Sequence, residues 1–401
     1  MPSPWVADQE NVHVIEGKLR LTRVALLTNF IDPQMVRSFE SLEEKLGDLT
    51  IFISTQREGH RMWNPATGRL KMILQKTLTI KSSWRHPMGF KDVNYVHLPV
   101  DTYRQLRKYQ PDIVISSQLG LRTVSACLFR ITHSHSRLIV WVQMTEHQQS
   151  GRRPIRTLVR KLIARCADAV VANGHSAKRY MASLGFTPER ISLALGSIEI
   201  GQYLGLPEKE LMPHPRRFLF VGRLVEVKGI MPFLSRLTFF ARQNPACSLV
   251  FEVVGYGPID KEIGRMEYPS NLEVLRRGAA PIETLPHFYG SADVLVLPTL
   301  SDEWGMVVNE GMAAGLPVLG SIYSQAVEEL VEDGVSGWIF APDRQDELDA
   351  AIARAVNASD SEILAMGRNA RRAVRRCDPE LWVAAMAESL GSVLQSEPGR
   401  R

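Results

Sequence analysis

Cysteine is scarce: four residues in 401, at 127, 166, 247 and 377, with no CxxC pair among them. That excludes a disulfide framework and a cysteine-ligated zinc site, and predicts reduced core thiols in a cytoplasmic protein. Long apolar runs are missing as well. The longest, such as Leu138–Val142, fall far short of the 18 or so residues that a membrane span requires. The opening segment, MPSPWVADQENVHVIEGK, lacks the basic start and apolar core of a secretory signal. There is no repeat with a period of 20–50 residues and no low-complexity tract. What remains is ordinary: 45% apolar and 23% charged residues, a soluble globular composition unlike that of a disordered chain or a channel. At about 100–200 residues per domain the chain divides into two to four domains, with enough length for more than one buried core.

The net charge of +5 is modest but clustered. Arg152, Arg153, Arg156, Arg160, Lys161 and Arg165 fall within one short stretch, and the segment from Arg57 to Lys91 is also basic. Two readings stand side by side. One is a solvated helix face; the other is attraction to anionic lipid head groups, worth about 1 kcal/mol per cation near the surface. Any such contact is peripheral, at the cytoplasmic face of a membrane. Nucleic acid is not an expected partner, because no zinc-ligand spacing and no recognition module accompanies the basic residues.

Short apolar runs alternate with longer helical patterns from end to end, as in parallel sheets with crossover helices. The first half has strand candidates at Arg23–Asn29, Leu49–Ser54, Asn94–Leu98, Asp112–Ser116, Leu138–Val142, Asp168–Ala172 and Ile191–Leu193. The rhythm restarts with Arg217–Val221, Leu249–Val254, Leu272–Leu275, Asp293–Leu297, Val318–Leu319 and Gly337–Phe340. Between them, Gly201–Pro215 is rich in glycine and proline and reads as a linker. The expected fold class is α/β, with two tandem Rossmann-like domains facing a cleft and a C-terminal helix crossing back to the first. The boundaries are residues 1–207 for an acceptor-binding domain, 208–378 for a donor-binding domain and 379–401 for the helix.

Three loops carry chemistry. The first restart strand runs into FVGRLVEVKG, where Gly222 allows a sharp turn and Arg223 and Lys228 bring two cations to the ligand-binding edge of the sheet. Such a pair suits a diphosphate, or is two surface bases in a loop. The next strand ends in VVGYGP, where Gly255 and Gly257 permit close approach to a ligand or a tight turn. This is no dinucleotide fingerprint: Pro258 follows and the third glycine is absent. The third is PTLSDEWGMVVNEGMAAGLPVLG, Pro298–Gly320, in which a helix is expected from near Gly305 through Ala314. First-turn N–H groups at Gly305, Met306 and Val307 can hold an anion. Asp302 and Glu310, eight residues apart, would be separated by roughly 12 Å on a helix, each able to accept from a vicinal diol. Capping of the helix explains Asp302 or Glu303 equally well, and Glu310 less well.

These residues resemble the retaining glycosyltransferases of family 4, which have the two-Rossmann-domain glycosyltransferase B fold. The resemblance is dense from Phe218 to about Pro342 and loose in the first half. It rests on the VGRL-x3-KG segment, the VGYGP turn, Gly278, the ADVLVLPT strand and the acidic signature with the following AAGLPV. The signature is usually Glu, seven residues, Glu. Counting back from Glu310, with the Trp304-Gly305 pair setting the register, lands on Asp302, one methylene shorter; Glu303 ranks second, and Trp304 counts with the donor-side residues.

The resemblance implies that Arg223 and Lys228 neutralise the diphosphate leaving group, Glu310 binds the ribose, Asp302 touches the transferred sugar, and the backbone at Arg277 and Gly278 meets the base. It implies a nucleotide-diphosphate-sugar donor, a saccharide or lipid-linked acceptor, no cofactor beyond the donor, and no metal, since Asp333 and Asp343 stand alone without a DxD motif. On the acceptor side related enzymes place a polar residue after a first-domain strand, for which His147 and Glu146 are candidates; Gln143 lies closer to the strand, and Thr145 reads equally as a cap. Family members often carry a glycine-rich loop after the first strand, but here that loop reads TNFIDPQ, where Asn29 and Asp32 are acceptor-side candidates. Gly174, His175 and Ser176 line the cleft or start a helix with Ser176 as its cap. Two alternatives remain: a non-catalytic nucleotide-sugar-binding partner subunit, and an epimerase on the same fold.

Overall fold

In the computed structural model, residues 17–58, 68–151, 154–209 and 215–395 are described. Residues 1–16 of the opening segment, Arg152, Arg153 and the linker residues Pro213 and His214 lie outside them. The chain forms two units, Met1–Ser82 with Val93–Glu199 and Pro379–Arg401, and Ser83–Asp92 with Ile200–Asp378.

In the first, β1 (Arg23–Thr28), β2 (Asp48–Ile53) and β3 (Met72–Leu74) are followed by β4 (Thr77–Arg85), β5 (Lys91–Pro99), β6 (Ile113–Ser117), β7 (Arg137–Val142), β8 (Ala169–Ala172) and β9 (Ile191–Leu193). Seven of them make a parallel sheet in the order β3-β2-β1-β6-β7-β8-β9. Its central strands are buried on both faces, which is why they read as unbroken apolar runs. One expectation fails here. Asn94–Leu98, read as a sheet strand, lies in β5, which pairs only with β4. The two are joined by a turn in which His86 N–H donates to Phe90 O at 2.9 Å, and so short a connection can only return the chain antiparallel. β4 is exposed along nearly its whole length and left no apolar signal.

The helices of this unit are α1 (Val36–Leu46), α2 (Thr102–Tyr109), α3 (Leu121–Thr132), α4 (Glu146–Gln149), α5 (Pro154–Cys166) and α6 (His175–Ser183). Leu106, Phe129, Ile163 and Met181 of α2, α3, α5 and α6 cover the face that presents Ala25 and Leu27.

The second unit begins with α7 (Gly201–Leu204), so the expected linker opens in helix and buries Tyr203 completely. Its strands are β10 (Arg216–Val221), β11 (Leu249–Val254), β12 (Leu272–Gly278), β13 (Val294–Leu297), β14 (Val318–Ser321) and β15 (Gly337–Phe340), and its helices α8 (Ile230–Gln243), α9 (Asp260–Ile263), α10 (Leu285–Ser291), α11 (Met306–Ala313), α12 (Gln325–Leu330), α13 (Gln345–Asn357) and α14 (Asp360–Ala373). The order β12-β11-β10-β13-β14-β15 is doubly wound and reverses between β10 and β13. Ligands of such sheets lie outside the carboxyl ends of the strands at that reversal.

The last helix, α15 (Pro379–Gln395), belongs to the first unit. Trp382 meets Phe39 and Trp141 edge to face at 5.6 Å each, and Met386 and Leu390 join the same core. Truncating a ring packed in this way costs about 3–5 kcal/mol, so α15 is a structural part of that unit.

Candidate functional site

Because β10 and β13 are neighbours, the loops that leave their carboxyl ends lie side by side and are laced together. Leu300 N–H donates to Val227 O at 2.8 Å, and Thr299 Oγ1 to the same oxygen at 3.0 Å. Gly229 closes the approach: its φ is +66° and a Cβ there would sit 2.0 Å from Pro298 O. This lacing carries Lys228, at the end of the 3-10 turn Glu226–Lys228, onto Asp302, whose Oδ2 accepts from its Nζ. Their side chains are 19% and 17% exposed. Lys228 thus stands at the ligand-binding edge with a carboxylate beside it, and Asp302 is not a helix cap. Each neutralises the other, because two opposite charges half removed from water attract more strongly than they do in bulk. Arg223, two residues beyond β10, makes no side-chain hydrogen bond or ion pair with the described residues and is half-buried.

The acidic loop is held from the other side by the loop after β14. Asp302 bridges Ser324, Ser324 Oγ donates to Trp304 O at 2.6 Å, and Gln325 Nε2 donates to Glu303 O at 2.8 Å. Trp304 is buried, with its Nε1 donating to Asn309 Oδ1 at 2.8 Å. Its indole, named in the sequence analysis for setting the register and counted there with the donor-side residues, packs inside the loop. Gly305, at φ +104°, is the N-cap of α11; neither Asp302 nor Glu303 caps it. Residues 302–305 are thus not helical, and the separation of Asp302 from Glu310 does not follow helical rise. Met306 and Val307 open the helix with N–H groups that have no intrahelical acceptor.

Glu310 is 2% exposed and accepts from Tyr289 Oη. It is a buried carboxylate with a phenol partner. Tyr203 stacks edge-on to Tyr289 at 5.3 Å. Burial first, and then the Glu310 charge, raises both phenols above their ordinary value, Tyr289 well above it. Such a group contributes its full stability below the unfolded pKa near 10 and loses it as pH rises toward the folded pKa, because the unfolded chain ionises first. Tyr289→Phe is therefore expected to flatten the alkaline loss of stability above pH 10 by about 1.4 kcal/mol per pH unit. Urea titrations at a series of pH values read this; an unchanged slope counts against it.

The glycines of the second loop allow two backbones to come close. A Cβ on Gly255 would lie 1.8 Å from Gly222 O, and one on Gly257 2.2 Å from Leu224 O. The close approach is that of the loops after β10 and β11 to each other, stitched by Leu224 N–H on Tyr256 O at 2.7 Å. Gly278, at φ +70°, has open space where its Cβ would be. Arg277 Nε donates to the buried Glu252 Oε1 at 2.6 Å, which leaves this position its backbone for a ligand.

In the first unit the reversal falls between β1 and β6. Asn29, just past β1, accepts from Arg122 Nη2 through Oδ1. Asp32 accepts from Gln34 N–H at 3.2 Å and caps the turn Pro33–Met35. Glu146 pairs with Arg179 at 2.8 Å on the surface, and half-buried His147 lies in α4, which Thr145 caps. Gln143 follows β7 directly, its N–H on Gln118 Oε1 at 3.5 Å. The N-cap of α6 is Gly174, not Ser176.

Sequence reasoning passed over Arg122. It is 6% exposed, donates also to Ser54 Oγ at 3.2 Å, has a buried Nε without an acceptor, and pairs with no acid among the described residues. Burial lowers its pKa to about 10. One arginine among many left no signal. Beside it, a cavity of about 670 Å³ is lined by Ser54, Gln56, Arg57, Gln75, Thr77 and Thr79, among others.

A family model described as glycosyl transferases group 1 matches residues 215–358, and one described as glycosyltransferase family 4 matches residues 54–196. The chain belongs to glycosyltransferase family 4. This family 4 chain is 26% identical over 273 residues to a D-inositol 3-phosphate glycosyltransferase of Corynebacterium kroppenstedtii, covering 61% of this chain and 58% of that protein. It is 24% identical over 222 residues to a putative colanic acid biosynthesis glycosyltransferase, WcaL, of Salmonella typhimurium, covering 53% of each. The chain thus spans about half the length of these curated relatives. Among solved structures, Anabaena HepE in complex with UDP and glucose superposes with a TM-score of 0.66 at 15% identity, over 92% of this chain and 100% of that one. Sucrose-phosphate synthase of Thermosynechococcus elongatus does so with 0.68 at 17%, over 94% and 100%. These likenesses establish the glycosyltransferase B fold.

Proposed function

We propose that the protein is a retaining glycosyltransferase that moves a hexose-type sugar from a nucleotide-diphosphate sugar to a saccharide or lipid-linked acceptor, in polysaccharide or glycolipid biosynthesis and without a divalent metal. The observation that carries this reading is the Lys228–Asp302 pair, set at the reversal of the second sheet where α11 begins. A diphosphate entering there competes with Asp302 for Lys228. The ammonium turns to the phosphates, where Arg223 and the N–H groups of Met306 and Val307 add positive charge without a metal. Asp302, released, accepts from a sugar hydroxyl. Glu310 serves the ribose, and the backbone at Arg277 and Gly278 meets the base.

In the reaction the bond from the anomeric carbon to the phosphate oxygen breaks and the acceptor oxygen bonds on the same face, its proton passing to the departing phosphate. The acceptor side is assigned to the first unit. There the hydroxyl- and amide-lined cavity suits a polyol, Arg122 and Arg57 suit an anionic group on it, and His147 is the candidate polar group after β7. The relatives named above, glycosyltransferases by description, and the HepE complex with UDP support a sugar-transfer reading.

The mutual locking of Lys228 and Asp302 also suits a non-catalytic nucleotide-sugar-binding subunit, and one experiment separates the two. Melting of the purified protein is followed with UDP-, GDP- and ADP-sugars, and released nucleotide is measured with and without added saccharide. A rise in melting temperature together with release supports the transferase; a rise without release supports the binding subunit; no rise with any of them removes both.

A further inference from the structure

The outer surface of the first unit's helical layer is apolar where a water-facing layer is ordinarily polar. α3 exposes Leu121, Val124, Leu128 and Ile131, spaced three and four residues apart and hence on one stripe. α5 does the same with Ile155, Leu158, Val159 and Leu162. Ile131 is 70% and Ile155 65% exposed, so these are whole side chains in water, not the rims of core residues. The two stripes are neighbours, because α3 packs against α5, with Cys166 Sγ donating to Cys127 O at 3.6 Å between them. Each helix already has an inward face on the sheet, through Ala126 and Phe129 in one and Ile163 and Ala164 in the other. The outward leucines and isoleucines are surplus to folding.

Charge identifies what covers them. α2, α3 and α5 contain no aspartate or glutamate. α2 packs along the other side of α3 and exposes Arg104, Arg107 and Lys108, while α5 exposes Arg156, Lys161 and Arg165. Cations thus bracket two apolar stripes. A second copy of the same face would bring cations against cations. A nucleic acid would use the cations and leave the leucines in water. A bilayer with anionic head groups satisfies both at once, since apolar side chains enter the boundary between head groups and acyl chains while lysine and arginine meet the phosphates. Among the described residues no helix is long and apolar enough to cross a membrane.

We propose that α2, α3 and α5 together form the face by which this protein lies on an anionic bilayer. The face stands on its own residues and does not depend on the donor-site reading. In flotation, the full chain is mixed with vesicles of phosphatidylcholine alone or with added phosphatidylglycerol, at low and at high salt. Wild-type protein floats with the anionic vesicles, less so at high salt, and stays behind with the neutral ones. Leu128→Glu combined with Leu158→Glu is expected to cut the bound fraction at least about tenfold, and Arg156→Glu with Lys161→Glu to cut it while leaving the apolar stripes intact. Melting curves matching wild type show that both variants fold. Single Leu128→Glu and Leu158→Glu variants, each changing one exposed side chain, are carried alongside and are expected to lose binding in smaller steps. Failure of wild type to float with anionic vesicles, or flotation of the variants at wild-type levels, overturns the assignment. So does a wild-type dimer in sedimentation that the leucine variants dissociate, which would make the face an interface between copies.

Discussion

Lys228→Met is expected to lower kcat for nucleotide release by about 10²–10³-fold, the usual cost of removing one fixed donor of charge from a developing anion, while leaving both units folded. The structure adds a second expectation. Lys228 is the partner of Asp302, and both side chains are mostly buried. Removing the lysine leaves a carboxylate half out of water with no counter-ion, a loss of about 1–3 kcal/mol. Asp302→Asn added to Lys228→Met removes that stranded charge, so the double variant should recover most of the stability and none of the rate. Steady-state nucleotide release and urea melts, run on the two single variants and the double, separate these effects. A wild-type rate in Lys228→Met sinks the site assignment. A double variant no more stable than Lys228→Met shows that the ion pair contributes nothing net.

Glu310→Ala should be more damaging than any change at an exposed acid, for two reasons that act on different observables. The carboxylate is the acceptor for Tyr289 Oη, so truncation leaves a fully buried phenol without its partner and a void beside it, at about 2–4 kcal/mol. The proposed ribose contact disappears at the same time, and turnover with it. Glu310→Gln distinguishes the two: the amide oxygen can still accept from Tyr289, so the melt should stay close to wild type while KM for the donor rises. Tyr289→Phe is the reverse case, with donor KM near wild type and stability reduced. If Glu310→Gln turns over at wild-type kcat and KM, the carboxylate is a core group and has no part in donor binding.

The contrast between the two acids shows what kind of information each position carries. Gly305 announces a backbone that only glycine tolerates easily, at φ +104°, and the pattern around it sets the register of Asp302 and Glu310 without any structure. The partners of those acids are not announced. Lys228 and Asp302 meet because β10 and β13 are adjacent although β11 and β12 intervene in the chain, and Tyr289 meets Glu310 because α10 and α11 flank β13. The partner of Trp304 is likewise not announced: its indole meets Asn309, five residues on in the first turn of α11, because the loop folds back onto that helix. β4 and the buried Arg122 left no legible pattern, the first because an exposed strand has no buried face to mark in apolar residues, the second because a lone cation has no period.

By itself the sequence determined the α/β class, most strands to within a residue or two, the family, and the three loops to which the proposed chemistry is assigned. It could do so because parallel strands buried on both faces must be apolar runs, and sharp turns at their ends need glycine; both are local demands. The tertiary structure alone decided which charge neutralises which, and which way the apolar stripes of α3 and α5 face. Hydrophobic spacing names a helix's apolar side but not whether a sheet or solvent lies against it. That depends on neighbours distant in the chain.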